Sequence, residues 1–229
     1  KTYFNELKNY EPDLLLKMSN KRKKFRFNRQ HDNEYDKKID LLNNYPILNQ
    51  DCEKYIDIGT KNWKYRFYNK ALNVYDEDDL KQCCLNYIEG LKWTYEYYFK
   101  GCRCWKWKYN YRHCPSLMDI LSVMKDTHLN DIKFKDSKPY SPIVQLLSIF
   151  PKTSSDLVPI QYRKLMTSKS DIGDYYPDNY SIDTYYKRYF WQCEPILPLI
   201  DYERLNKTFK KIKMDPKLKQ KLNSEIFIK

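Results

Sequence analysis

The sequence predicts a mostly α, irregular multi-helix domain whose helices are joined by long loops rich in proline and tyrosine. Its strongest pattern is a run of apolar and aromatic residues at three- and four-residue steps, which places them on one helix face. That run comprises Cys84, Tyr87, Ile88, Leu91, Tyr95, Tyr98 and Phe99. Strand-like alternation is rare elsewhere, and 11 prolines interrupt the remaining helical patterns.

The ends of this helix are also encoded. Four carboxylates, Asp76 to Asp79, precede the pattern, where negative charge favours the positive end of the helix dipole. Gly101 follows the last periodic residue and is a plausible residue for ending the helix. We expect a helix near Asp79–Lys100 to form the buried centre of the fold.

Composition narrows the class of protein. The net charge of +12, from 42 Lys and Arg against 30 Asp and Glu, fits an anionic partner, nucleic acid before a membrane surface. A lysine-rich coding bias is the alternative explanation of that charge. Only 4 glycines are present, and no glycine-rich phosphate loop. The 7 cysteines do not suggest a disulfide framework, and no apolar run spans a membrane. We therefore expect an intracellular protein of cytoplasm or nucleus, not a secreted one, and a piece of a longer polypeptide because the chain begins at Lys1.

The chain divides into three expected regions. Residues 1–50 form a basic, polar N-terminal extension or linker, residues 51–213 the helical domain, and residues 214–229 a basic C-terminal tail. Within the first region, Lys21–Arg29 is either a phosphate-binding arm or a solvated, disordered segment. A polar stretch from Gln30 ends in an expected apolar anchor. That anchor comprises Leu41, Leu42, Tyr45, Pro46 and Ile47.

A second pattern follows the central helix, where aromatic and basic or polar residues alternate. In an extended segment, alternate residues share a face. One face would carry Trp105, Trp107, Tyr109 and Tyr111, and the other Lys106, Lys108 and Arg112. Aromatic faces can stack on nucleobases while Lys and Arg meet phosphates, which makes this segment the candidate RNA-binding site. The alternative is a segment whose rings plug the core beneath solvated lysines.

Two other groups of residues contain the residue types that bind metal ions. Cysteine and histidine ligands for zinc usually come in closely spaced pairs, which the first group matches poorly. It comprises Cys102, Cys104, His113 and Cys114. The second group is the carboxylates Asp171, Asp174, Asp178 and Asp183. We expect no metal site, no bound cofactor and no catalytic residue in this chain.

Several blocks of the sequence occur in the order found in one family. They are Glu89-Gly90-Leu91-Lys92-Trp93, Tyr97-Tyr98-Phe99, Trp105-Lys106-Trp107-Lys108-Tyr109, Pro115-Ser116-Leu117-Met118-Asp119-Ile120, Lys138-Pro139-Tyr140-Ser141-Pro142, Asp174-Tyr175-Tyr176-Pro177 and Leu197-Pro198-Leu199-Ile200-Asp201. The chain thereby resembles the middle, helical domain of the Xrn family of 5′-to-3′ exoribonucleases. Asn110, Arg112 and His113 depart from the family pattern, where proline, histidine and tyrosine are usual.

The resemblance implies a channel wall for 5′-monophosphorylated single-stranded RNA, in an enzyme that uses Mg²⁺. The metal-binding carboxylates of that family lie in an N-terminal nuclease domain, which is therefore an expected partner in the same or another polypeptide. A tryptophan of the helical domain stacks near the 5′ nucleotides, and Trp105 and Trp107 are the candidates by motif. We expect the segment to turn, so that one ring is core and the other lines the groove, with Trp107 preferred for the groove. The alternative function is a non-catalytic RNA-binding or scaffold homologue.

Overall fold

The computed structural model describes residues 1–19 and 30–223, and it confirms a mostly α, multi-helix fold. Within those ranges it has eleven α-helices and one two-stranded sheet. The helices are α1 Thr2–Leu7, α2 Glu11–Ser19, α3 Glu34–Asn43, α4 Asp51–Ile56, α5 Trp63–Phe67, α6 Glu77–Lys100, α7 Leu117–Asp126, α8 Pro142–Ile149, α9 Ile160–Arg163, α10 Tyr202–Lys210 and α11 Pro216–Asn223. The strands are β1 Ser181–Asp183 and β2 Glu194–Ile196. No helix of the described residues is long and apolar enough to cross a membrane.

The chain forms two compact units. The first comprises Lys1–Lys138 and Asp183–Glu194, and the second Pro139–Ile182 and Pro195–Lys229. In the second unit, α8, α9 and α10 contribute to one core, in which Tyr162 stacks on Phe209 with ring centroids 4.9 Å apart. These three helices therefore share one core.

The first unit is organised around α6, as the periodicity predicts. Asp76 caps the helix by accepting a hydrogen bond from the Asp79 N–H at 2.8 Å, and Gly101 ends it with a φ of 80°. On one side Cys83 joins the core formed with α4 and α5, while on the other Cys84 and Ile88 pack against α7. Burial raises the pKa of the Cys83 thiol to about 11, so this cysteine is an inert core residue.

The second half of α6 differs from the expectation of a buried centre. Its predicted apolar face is solvent-exposed at four positions, although the helix itself is continuous. They are Leu91 at 41%, Tyr95 at 56%, Tyr98 at 75% and Phe99 at 74% exposure. The reason is that α7, which covers the first half of the helix at Cys84 and Ile88, leaves this half uncovered. An apolar hollow of about 430 Å³ lies along this face.

The N-terminal region, expected to be an extension or linker, contains a helix that the sequence analysis did not predict. The polar stretch from Gln30 contains α3, whose N-terminus is capped by Asn33 accepting from the Asp36 N–H at 2.8 Å. In the expected apolar anchor after it, Ile47 is the buried residue, and Pro46 pairs with Tyr189 in an isolated β-bridge. Leu41, Leu42 and Tyr45 are at least half exposed. The basic run Lys21–Arg29, expected to be either a phosphate-binding arm or a solvated segment, lies outside the described residues.

Candidate nucleic-acid interface

The segment after α6 bends at Trp105 and Lys106, and the bend is fixed by residues far away in the sequence. The Trp105 N–H donates to Ser137 Oγ at 2.9 Å, and the Ser137 N–H donates to the carbonyl of Arg103 at 2.9 Å. Arg103 also pairs with Asp136 at 2.8 Å. Trp105 therefore sits on an anchored backbone with its side chain 50% exposed.

Trp107 has a different environment, because its ring packs against α6. Its indole stacks on that of Trp93 with centroids 5.5 Å apart and planes 23° apart. Trp93 is held in turn by donating its indole N–H to the carbonyl of Cys104 at 2.8 Å, and by stacking on Tyr97. Gly90 makes the packing possible, because a Cβ there would lie 2.7 Å from Cη2 of Trp107.

The two tryptophans therefore diverge at a bend, and their environments differ as expected for one packed and one accessible ring. Trp105 is the half-exposed ring, whereas Trp107, which the sequence analysis prefers for the groove, packs with one side on α6. The physical reason is that Gly90 and Trp93 on α6 offer Trp107 a flat surface, while the bend turns Trp105 away from it. Which ring stacks on RNA stays a prediction.

From Trp107 onwards the predicted alternation is present. Tyr109 and Tyr111 are partly buried, whereas Lys108 and Arg112 are exposed. Tyr109 donates its hydroxyl to the carbonyl of His113 at 2.7 Å, and burial raises its pKa well above the usual range. This side of the segment therefore serves packing, and the opposite side presents the cations.

At the end of the segment, His113 contacts Asp183. Its Nε2 lies 2.7 Å from a carboxylate oxygen of Asp183, and both side chains are mostly buried. Burial raises the pKa of Asp183, but hydrogen bonds from His113 and from the Tyr185 N–H outweigh it and hold that pKa below its usual range. This contact fixes the end of the candidate segment to Asp183 of the same unit.

The two groups weighed as metal sites do not form such sites in the described ranges. No set of three or more His, Cys, Asp or Glu residues there could hold a metal ion. Three of the four carboxylates face a lysine or arginine instead, and the fourth faces a histidine ring. The pairs are Asp171 with Lys211, Asp174 with Arg204, Asp178 with Lys152 and Asp183 with His113.

A cleft beside Trp107 was missed by the sequence reasoning. It has a volume of about 740 Å³ and lies between α6 and residues 126–135. Lys81, Lys133 and Lys135 line it together with Phe134, whose ring meets Trp107 edge-on at 6.4 Å. The signal was present, because residues 132–135 alternate apolar and basic residues just as residues 105–108 do.

The sequence was compared with known protein families and curated proteins. Residues 7–225 match the family described as Xrn1 helical domain. Relatives include 5′-3′ exoribonuclease 1 of Schizosaccharomyces pombe, 36% identical over 180 residues, which are 75% of this chain and 13% of that protein. 5′-3′ exoribonuclease 2 of Gallus gallus is 34% identical over 166 residues, 71% of this chain and 17% of that protein.

A plant relative gives the same result. 5′-3′ exoribonuclease 2 of Arabidopsis thaliana is 35% identical over 161 residues, 68% of this chain and 15% of that protein. The chain thus spans between 13% and 17% of the length of these three relatives. Since the family match covers nearly the whole chain, this chain belongs to the family of Xrn1 helical domains.

Proposed function

We propose that this chain is the helical, channel-wall part of a 5′-3′ exoribonuclease that degrades 5′-monophosphorylated single-stranded RNA. The proposal is supported by the names of its relatives and by the geometry of the candidate segment. The single observation that carries it is the half-exposed Trp105 on an anchored bend, followed by exposed Lys106, Lys108 and Arg112. A fixed aromatic face beside cations is typical of proteins that bind single-stranded nucleic acids.

In this arrangement Trp105 stacks on a base, and the exposed cations contact phosphates. Trp107 and Tyr109 support the segment from beneath, since their rings pack on α6. Stacking of one base on an aromatic side chain contributes about 1–3 kcal/mol to binding. The Trp105 backbone bond to Ser137 does not involve the indole, so the ring can be removed without breaking the bend.

Titrations of fluorescent single-stranded RNA against the full-length protein test this proposal. We expect Trp105→Ala to weaken binding roughly 5- to 150-fold, which corresponds to about 1–3 kcal/mol. The matched control is Trp191→Ala, which removes another exposed tryptophan, 61% exposed. If the two variants bind RNA with equal affinity, Trp105 does not contact the RNA.

The proposed partner in catalysis is an N-terminal nuclease domain in the same or another polypeptide. Two observations support it: the chain spans a small part of its relatives, and the second half of α6 exposes Leu91, Tyr95, Tyr98 and Phe99. Exposed apolar patches of this kind often mark interaction surfaces. We propose this patch as the surface that the nuclease domain covers.

The Mg²⁺ of such an enzyme would be bound outside the part of this chain that the structure describes. A two-metal nuclease centre needs several carboxylates that converge on the ions. The candidate carboxylates of the described ranges are engaged with cations, and none of their groupings fits a metal ion. We therefore assign no step of hydrolysis to residues of this chain.

A further inference from the structure

We propose that the cleft between α6 and residues 126–135 binds the backbone of the same single-stranded RNA, through Lys81, Lys133 and Lys135, next to the wall formed by Trp107. This inference rests on the proposed function and extends the RNA contact beyond the Trp105–Arg112 segment. Neither the family match nor the names of the relatives assign a role to these three lysines.

The three lysines are free to meet an anion. Their side chains are exposed, and none of them has an ion-pair or hydrogen-bond partner among the described residues. They enter the cleft from two sides, Lys81 from α6 and Lys133 and Lys135 from the loop after α7. A chain of phosphates in the cleft would therefore meet cations on both walls.

The loop that carries Lys133 and Lys135 is held in place by packing and hydrogen bonds. Lys92 of α6 donates to the carbonyls of Leu129 and Ile132, the former at 2.8 Å. Ile132 is partly buried against the α6–α7 core, and Phe134 meets the Trp107 ring. Lys133 and Lys135 alternate with these two packed residues and remain exposed where they line the open cleft. A fixed loop loses little entropy when it binds a ligand.

The cleft also contains groups that can contact the bases of a nucleic acid, which a polyanion without bases would not use. Trp107 lines it with an aromatic ring, and three carboxylates line it as well, Glu89, Asp126 and Asp131. Carboxylates repel phosphate, but they accept hydrogen bonds from the amino groups of bases. The volume of about 740 Å³ lies within the usual range for ligand pockets. These features favour RNA over an acidic protein segment.

The test compares two triple variants of the full-length protein, each of which removes three positive charges. One changes Lys81, Lys133 and Lys135 to Ala, and the matched control changes three exposed lysines outside the cleft. Those are Lys61, Lys164 and Lys169. The probe is a fluorescent single-stranded oligoadenylate long enough to span the segment and the cleft, titrated at about 50 and 200 mM salt.

Each phosphate contact contributes about 0.7 to the slope of log affinity against log salt for single strands, so three contacts contribute about 2. Between the two salt concentrations, wild-type binding should therefore weaken roughly 20-fold more than binding by the cleft variant. The control variant should keep the wild-type slope, and replacement of the three cleft lysines by Arg should restore it.

The failures of this inference and of the proposed function are distinguishable. If the wild type binds RNA and the cleft and control variants have the same slope, the cleft is not part of the RNA path and the proposed function stands. If oligoglutamate of equal length binds as tightly as RNA and depends on the same lysines, the cleft is a site for acidic protein segments and the inference is wrong. If the wild type does not bind RNA at all, both proposals fall together.

Discussion

Replacing Gly90 by Ala should destabilise this domain, although the same change usually stabilises a helix. Gly90 lies inside α6, where Ala is favoured over Gly by about 1 kcal/mol. The added Cβ would approach Cη2 of Trp107 to 2.7 Å and Cζ2 to 3.2 Å. Real Cβ atoms do not tolerate the shorter distance, so either the indole or the helix has to move.

The size of the effect follows from what surrounds the indole. Trp107 cannot simply rotate away, because it stacks on Trp93 on one side and meets Phe134 on another. Overpacking of a well-filled site typically costs about 1–3 kcal/mol. After subtraction of the gain in helix propensity, we expect a net loss of stability of up to about 2 kcal/mol.

Urea unfolding of Gly90→Ala, Trp107→Leu and the double variant measures this directly. Leu lacks the two ring atoms that the new Cβ would meet, so Gly90→Ala should stabilise the Trp107→Leu background by about 1 kcal/mol. The coupling energy of the cycle should then be about 1–3 kcal/mol, which is the overpacking cost itself. If Gly90→Ala stabilises the wild-type background too, the glycine is not there to admit the tryptophan, and the packing argument is refuted.

Three further predictions concern a helix cap, an ion pair and catalysis. Asp76→Ala should lower the free energy of unfolding by about 1 kcal/mol, because the N-terminus of α6 loses its side-chain cap; an unchanged urea midpoint would contradict this. The pKa of Asp183 is lower in the folded state, so its carboxylate stabilises the fold above its unfolded pKa, and this is lost as pH falls through the folded pKa. Asp183→Asn should therefore flatten the loss of stability in acid, as measured by urea unfolding between about pH 2 and 5, and an unaltered slope would refute the assignment. The isolated chain should bind single-stranded RNA weakly and less as salt rises, yet release no mononucleotides with Mg²⁺ or Mn²⁺; metal-dependent release by a contaminant-free preparation would overturn this.

The central helix could be predicted from sequence because its signals are local. The apolar periodicity, the Asp76 cap and the Gly101 terminus all lie within one stretch, and α6 runs from Glu77 to Lys100. The exposure of Tyr98 and Phe99 could not be predicted, because periodicity tells which residues share a face and not what covers that face. The helix α3 was not predicted either, since it is polar and marked mainly by its Asn33 cap.

In the candidate RNA-binding segment, too, local features could be predicted from sequence and distant contacts could not. Alternation predicted which residues from Trp107 to Arg112 face inwards and which face outwards. The position of Trp105 depends on a hydrogen bond from its backbone N–H to Ser137, 32 residues away in sequence. The packing of Trp107 depends on the absence of a side chain at Gly90. Neither contact has a local sequence signature.

The most direct test of the proposed function is an exonuclease assay with the full-length protein in which this chain occurs. The substrates are two single-stranded RNAs of one sequence, with a 5′ monophosphate or a 5′ hydroxyl, in the presence of Mg²⁺. We expect processive release of mononucleotides from the 5′-monophosphorylated RNA, slowed by Trp105→Ala and unaffected by Trp191→Ala. Binding of both RNAs without degradation of either would contradict the account and favour a non-catalytic RNA-binding homologue.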